Sequence, residues 1–279
     1  MCVLVTGATG RYGYAAALVL ADAGVDVAAL VRDLETPAAR SLVERGVRLE
    51  RGRRDQLDHV EDALADADGL FLAVGGPRAS ARTASERAET LVRAAHRTDV
   101  TVVHASLIGA DARPGVPCVD VRGRIDADLA SRDVPHVSLR PGVPLDAFER
   151  ARDTVETESR LPFPLEGHAR VPLTDPRDVA RAATAILADP DTPTPDGERL
   201  PVFSDTRSLY GLADALEDVL GREITADPRP PTDAPRPLTA FYRWVNEGAL
   251  LGADPNALVE RYGVGPAPIR DYFERAGWE

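Results

Sequence analysis

The sequence contains no lysine. All 33 basic residues are arginine, set against 45 acidic ones, for a formal charge of −12. Three chemistries are thereby excluded: the lysine of a nucleotide P-loop, a Schiff-base lysine, and a tyrosine acid whose pKa is lowered by a lysine four residues on. None of Tyr12, Tyr14, Tyr210, Tyr242, Tyr262 or Tyr272 can have such a partner. Cysteine is scarce too. Cys2 and Cys118 cannot build a disulfide framework, and their spacing is no metal motif, so they are expected to be reduced thiols of a cytoplasmic protein. His59, His96, His104, His136 and His168 show neither HxH nor HExxH spacing, and no Gly-x-Ser-x-Gly elbow occurs, so no metal site or esterase nucleophile is expected. No stretch approaches the ~18 apolar residues of a membrane helix. The chain begins directly on an apolar run without a basic leader, so no signal peptide is expected. The acidic balance lacks the basic surface that general nucleic-acid binding needs.

At 44% hydrophobic residues over 279 positions the chain can bury a sizeable core. Its first half alternates β-prone runs (Cys2–Thr6, Val25–Val31, Val47–Arg51, Gly69–Val74, Val100–Ala105, His136–Arg140) with helical stretches (Tyr12–Ala23, Pro37–Arg45, Leu57–Leu64, Ala84–Arg97, Arg122–Ser131). Such alternation predicts an α/β fold, a doubly wound parallel sheet of Rossmann type. After Pro141 the alternation weakens. Leu161–Val171 reads as loop and short strand, Asp175–Leu187 as a helix, Pro201–Ser204 as extended, and Leu209–Leu220 as a helix ending at Gly221. The proline-rich run Pro228–Pro237 predicts a PPII-like connector, followed by helices around Leu238–Glu247, Pro255–Tyr262 and Pro268–Arg275. The expected division is a dinucleotide-binding domain over 1–142, to which 172–190 and 200–204 return. Most of 143–279 forms a smaller, irregular α/β substrate lobe.

The strongest motif is at the start. The β-prone run to Thr6 leads directly into Gly7-Ala8-Thr9-Gly10-Arg11-Tyr12-Gly13 and then an alanine-rich helix. Gly7 permits the tight turn, Gly10 lets backbone approach a pyrophosphate, and Gly13 lets the helix sit close on the sheet. The helix start offers free N–H groups and a positive dipole end to phosphates. The second strand ends in Val31-Arg32-Asp33. An acid at this strand end bonds the ribose 2′-OH of NAD, whereas the Arg32 guanidinium suits a 2′-phosphate. Arg32 comes first, which favours NADP(H) over NAD(H), and Asp33 would take the NAD role if the strand ended one residue later. Val74, Gly75 and Gly76 are small or slim enough at the fourth strand end for the cofactor's ribose to approach. Ser106 lies past the fifth strand, where a hydroxyl could meet a nicotinamide or a substrate carbonyl. His104 reads as a buried histidine.

These segments together resemble the NmrA-like family of atypical short-chain dehydrogenases/reductases. The likeness rests on Val5–Gly13 with Leu30–Asp33, on Gly52–Leu64, on Val102–Ser106, on Val137–Gly142, on Asp175–Ala180, and on Phe241–Gly248. The resemblance implies NADP(H) on a Rossmann domain with a small substrate lobe. Its activities range from reduction of quinones, azo dyes and phenylpropanoids to redox sensing without catalysis. Where the family has Asp after the third-strand glycine, this chain has Arg53, which could stack on the adenine, reach a 2′-phosphate, or simply be solvated. Relatives carry His, Lys or Arg at the helix position held here by Arg122 and Arg124, and Arg122 could polarise a carbonyl.

The function expected from the sequence is NADPH-dependent reduction of a small conjugated or carbonyl substrate without the Tyr-Lys dyad, with Ser106 and Arg122 as the catalytic candidates. The alternatives are an NADP(H) sensor that binds a protein partner and a cofactor-bound isomerase or cyclase. Either a monomer or a homodimer is compatible with these readings.

Overall fold

The computed structural model describes residues 1–53, 56–74, 81–189, 197–254 and 256–278. Gly75 and Gly76 lie outside the described residues.

Seven parallel strands form the central sheet: β1 (Cys2–Thr6), β2 (Asp26–Val31), β3 (Arg48–Arg51), β4 (Gly69–Leu72), β5 (Thr101–Ala105), β6 (His136–Pro141) and, later in the chain, β10 (Glu198–Val202). Their order is β10-β6-β5-β4-β1-β2-β3. The order reverses between β1 and β4, the switch point above which open α/β sheets bind ligands. Burial on both faces explains why β1 and β2 read as unbroken apolar runs. Val3 and Val5 face one layer and Leu4 the other. Helices α1 (Arg11–Asp22), α2 (Pro37–Glu44) and α7 (Pro176–Leu187) cover the first face, with Ala16, Ala17 and Leu20 meeting Val179, Ala180 and Ala183. On the opposite face lie α3 (Leu57–Leu64), α4 (Ala81–Thr98) and α5 (Pro117–Ser131).

A third core belongs to the later elements. β7 (Val143–Pro144), β9 (Val171–Thr174) and β11 (Asp205–Arg207) form one small sheet, and β8 (Arg160–Phe163) with β12 (Thr225–Pro228) another. Helices α6 (Arg152–Glu158), α8 (Leu209–Leu220) and α9 (Arg236–Asn246) pack around them, and α10 (Ala257–Tyr262) and α11 (Ile269–Arg275) close the chain. Phe148 stacks on Phe163 at 3.9 Å and Tyr242 meets Phe163 edge-on at 5.5 Å. The late aromatics are thus mainly packing groups. Glu149 ties down the C-terminus by accepting from the Tyr272 hydroxyl at 2.9 Å and the Trp278 indole N–H at 2.8 Å.

The structure differs from the sequence reading in several places. The proline-rich run is no PPII connector throughout, because a 3-10 turn occupies Pro231–Asp233 and α9 already begins at Arg236. Proline is compatible with a helix start, where its missing N–H costs nothing. For the same reason α5 begins at Pro117 rather than at Arg122. The extended piece placed at Pro201–Ser204 is β10, shifted toward Glu198 and paired in parallel with β6. Within Leu161–Val171, by contrast, the expected short strand is β8, ending at Phe163, and a loop leads from it to β9.

Helix α7 carries a buried acid on its inner side. Asp178 is 1% exposed, is bonded by Arg181 at 2.6 Å and Ser204 at 2.9 Å, and also accepts from the Ala267 amide. Burial outweighs these partners and pushes its pKa up to about 6 from 3.8. A raised carboxyl pKa means that the folded state binds the proton more tightly than the unfolded one. Its contribution to stability is therefore fully present below pH 3.8 and is lost as pH rises through about 6. Asp178→Asn removes this titration. The stability of the variant relative to the parent is expected to rise by up to about 3 kcal/mol between pH 4 and pH 7, as read by denaturant melts. A difference independent of pH would contradict the assignment.

Candidate functional site

The glycine loop sits at the switch point. Gly7 adopts φ +67°, and a Cβ there would lie 2.8 Å from the Ala73 carbonyl oxygen at the end of β4. A Cβ on Gly13 would lie 2.3 Å from the Gly7 carbonyl oxygen, so only glycine lets α1 start this close to the turn. The Thr6 hydroxyl receives the Ala73 amide at 3.1 Å and pins the two diverging strands together. The first bond of α1 runs from Tyr14 N–H to the Gly10 carbonyl at 2.8 Å. The amides of Arg11, Tyr12 and Gly13 therefore have no backbone acceptor among the described residues. The first turn contains no acidic residue, and no side chain caps it. Such an end favours an anion through both its N–H groups and its dipole.

Register places Val31 opposite Arg51, so Arg32 and Arg53 emerge from neighbouring strand ends. Arg32 is exposed and has no hydrogen bond or ion pair among the described residues. Asp33 spends one oxygen on the Glu35 amide at 2.9 Å, an Asx turn that holds it after the strand. This pair is thus divided in role: the carboxylate shapes the turn while the guanidinium stays free. Gly52 packs under Leu30, where a Cβ would lie 2.6 Å from the Leu30 Cδ1.

The loop faces the later elements across a cleft. Arg11 crosses it to donate to Asp146 at 2.6 Å. Burial opposes the Arg11 charge, but Asp146 more than restores it, and its pKa is raised. Tyr12, at the start of α1, is pushed up to about 12 by burial, although the charges of Arg11 and Arg122 oppose the shift. Tyr242 on α9 reaches about 12 for the same reason. Both phenols are thus protonated at neutral pH. Arg122 is half-buried on α5, donates to the Cys118 carbonyl at 2.5 Å, and has a buried Nε with no partner among the described residues. On the outer side of the loop, a groove of about 570 Å3 runs from Thr9, Gly10 and Arg11 past Tyr14 to Pro37 of α2 and Arg177 of α7.

Ser106 lies directly after β5, but its side chain turns away from the cleft. It is fully buried and gives its O–H to Asp126 of α5 at 2.9 Å. Asp126 also accepts from His104 Nδ1 at 2.7 Å and from the Ser138 hydroxyl at 2.6 Å. Burial pushes this carboxyl up, but the bonds from His104, Ser138 and Ser106 hold it well below the usual range. Because a carboxylate only accepts, Ser106 has no proton left for a carbonyl. This geometry argues against the proton-donor role expected of it. His104 is buried as expected, with its pKa lowered by burial, yet its Nε2 has no partner among the described residues. Arg124 is exposed and only 3.5 Å from Ser85. The residues missed by sequence reasoning are Asp126 and Asp146. Asp126 carries a faint signal, an acid beside the apolar stripe Val121-Ile125-Leu129, whereas Asp146 carries none. Among the described residues no cluster of His, Cys, Asp and Glu could hold a metal ion, and no helix is long and apolar enough to cross a membrane.

The strand order and loop define a Rossmann-type fold with an uncapped helix end at the switch point. The sequence matches the NmrA-like family over residues 1–240, and the chain belongs to that family. Residues 241–279, including the segment Phe241–Gly248, lie beyond the match. No curated protein matches the chain. Among solved structures, it is similar to the Citrobacter sp. triphenylmethane reductase complexed with NADP(H), with a TM-score of 0.80 at 21% identity over 99% of this chain and 100% of that one. It is also similar to an NADPH-dependent quinone oxidoreductase from Escherichia coli complexed with NADPH, with a TM-score of 0.81 at 18% identity over 99% of each. NmrA, a negative transcriptional regulator, gives a TM-score of 0.80 at 16% identity, over 99% of this chain and 95% of that one. At such identities the likeness is one of fold.

The Gly13 contact yields a stability test. Gly13→Ala places a methyl 2.3 Å from the Gly7 carbonyl and is expected to lose at least ~2 kcal/mol by overpacking. Gly211→Ala, in the first turn of α8 with nothing nearer than 3.6 Å, is expected to be neutral or stabilising. Equal melting temperatures for the Gly13 variant and the parent would contradict the close approach.

Proposed function

We propose that this chain is an NADPH-dependent oxidoreductase acting on a small conjugated or carbonyl acceptor. The observation that carries the reading is the conjunction of the open α1 terminus with an unpaired Arg32 at the next strand end. Gly7, Thr9, Gly10, Arg11, Tyr12 and Gly13 would hold the pyrophosphate. Arg32 and Arg53 would take the 2′-phosphate, and Val74 would leave room for the ribose. The two solved relatives crystallised with NADP(H) and NADPH support this assignment. Bound there, the dinucleotide supplies hydride.

The chain's own groups then act on the acceptor. Arg122, whose Nε is buried without a partner among the described residues, would polarise a carbonyl oxygen as charge develops on it. Tyr12 and Tyr242 stay protonated, so neither serves as a base, and no lysine is present to lower either. Ser106 would support the site through Asp126 and not as a proton donor. The proton comes from water, which suffices for quinone-like acceptors. The cytoplasm suits a chain with two free thiols. The commitment of Ser106 to Asp126 favours one rival, an NADP(H)-binding regulator without turnover, and the similarity to NmrA points the same way.

Two measurements decide. Arg32→Ala is expected to weaken NADPH by roughly 10–100-fold, the worth of a charge-assisted contact, while leaving NADH within about twofold. Equal loss for both cofactors would remove the 2′-phosphate role. Loss of NADPH absorbance on a panel of quinones, enones and aldehydes is expected for at least one acceptor and should fall in Arg122→Met. Tight NADPH binding without turnover on any of them would overturn the oxidoreductase reading in favour of the regulator.

A further inference from the structure

A second cavity lies at the far edge of the sheet from the glycine loop. Its volume is about 230 Å3, roughly eight water molecules by their share of liquid volume. Arg140 at the end of β6 lines it with Arg199 and Pro201 of β10, Pro201 lying beside Arg140 in the strand register, and Ile108 and Leu251 add further apolar lining. Two strands, β5 and β4, separate β6 from β1, about 14 Å at the usual strand spacing. It shares no lining residue with the groove at the glycine loop.

Arg140 is a buried cation with too few partners. It is 8% exposed, and its Nε is buried with nothing to donate to among the described residues. Its contacts are with carboxylates: one hydrogen bond to Asp126 at a long 3.4 Å, and an ion pair with Asp111 at 3.1 Å. Asp126 is already bonded by His104, Ser106 and Ser138. Arg199 is half-exposed and reaches only the other Asp111 oxygen, at 3.8 Å. The formal charges of two arginines and two aspartates cancel, but the hydrogen bonds do not. A guanidinium carries five N–H donors, and of those on these two arginines the Arg140 Nε–H is the one buried without a partner among the described residues. Buried donors left unmade are costly, and a planar fork is matched best by a carboxylate. Asp111, itself half-exposed at the rim, already bridges the two arginines as one such group. The lining also includes apolar Ile108, Pro201 and Leu251, with Leu251 50% exposed.

We propose that this cavity binds a small carboxylic acid with an apolar body, its carboxylate on Arg140 and Arg199 and its body against Ile108, Pro201 and Leu251. The assignment does not depend on the dinucleotide reading. Benzoate is the probe, titrated calorimetrically into the full chain with and without saturating NADPH, and benzamide is the uncharged control of equal shape. Benzoate is expected to bind at least tenfold more tightly than benzamide. Arg199→Gln should weaken benzoate about tenfold, Arg140→Met at least as much, and Leu251→Ser by a smaller factor. NADPH should leave the affinity unchanged. Because Arg140 is buried and its variant can fail to fold, the exposed Arg199 and Leu251 variants suffice for the test. No benzoate binding, equal binding of benzamide, insensitivity to Arg199→Gln, or displacement by NADPH would each overturn the proposal.

Discussion

The distance between two pieces of backbone governs this molecule. Helix α1 can begin where it does only because Gly13 carries no side chain against the Gly7 carbonyl. That contact brings the helix terminus to the point where β1 and β4 part, and Thr6 fixes the parting by holding Ala73. With α1 seated, its alanine face accepts α7 at close range, and Arg11 is carried to the cleft within reach of Asp146. The position of the uncapped helix end, the closeness of the two helices and the bridge to the later elements all follow from one missing Cβ.

The absence of lysine shapes the rest of the chemistry. Every cation is a planar fork, and the structure uses several of them as multi-point ties. Arg152 reaches Glu149 and the carbonyls of Ala276 and Gly277, while Arg275 reaches the Asp175 cap of α7. Exposed pairs such as Arg40 with Glu35 contribute little, about 0–1 kcal/mol. The buried carboxylates matter more, because an unpartnered one is costly. Asp126 is the clearest case. By collecting the protons of Ser106, Ser138 and His104, it fixes their orientations and decides that Ser106 is no proton donor.

Much of this was legible in the residues, and what was not has a common cause. Strands β1, β2, β5 and β6 are buried on both faces, so their apolar runs announced them, and the glycine spacing announced the loop. The position of Ser106 was legible, but the direction of its proton was not, because that is set by Asp126 twenty residues further on. Asp126 itself looked like one of many helix-face acids. Strands β7, β9 and β11 are two to four residues long and exist only through their partners, so local propensity could not reveal them. Arg32 and Asp33 were ambiguous as a pair, and the Asx turn to Glu35 engages one of the two Asp33 oxygens.

The central claim is that the glycine loop and Arg32 form a site for a dinucleotide bearing a 2′-phosphate. Its most direct test is calorimetric titration of the intact chain with 2′,5′-ADP and with 5′-AMP, fragments that carry no nicotinamide and cannot react. The account predicts one site per chain that holds 2′,5′-ADP, with 5′-AMP at least tenfold weaker. Equal affinity for the two fragments, or no binding of either, would contradict it.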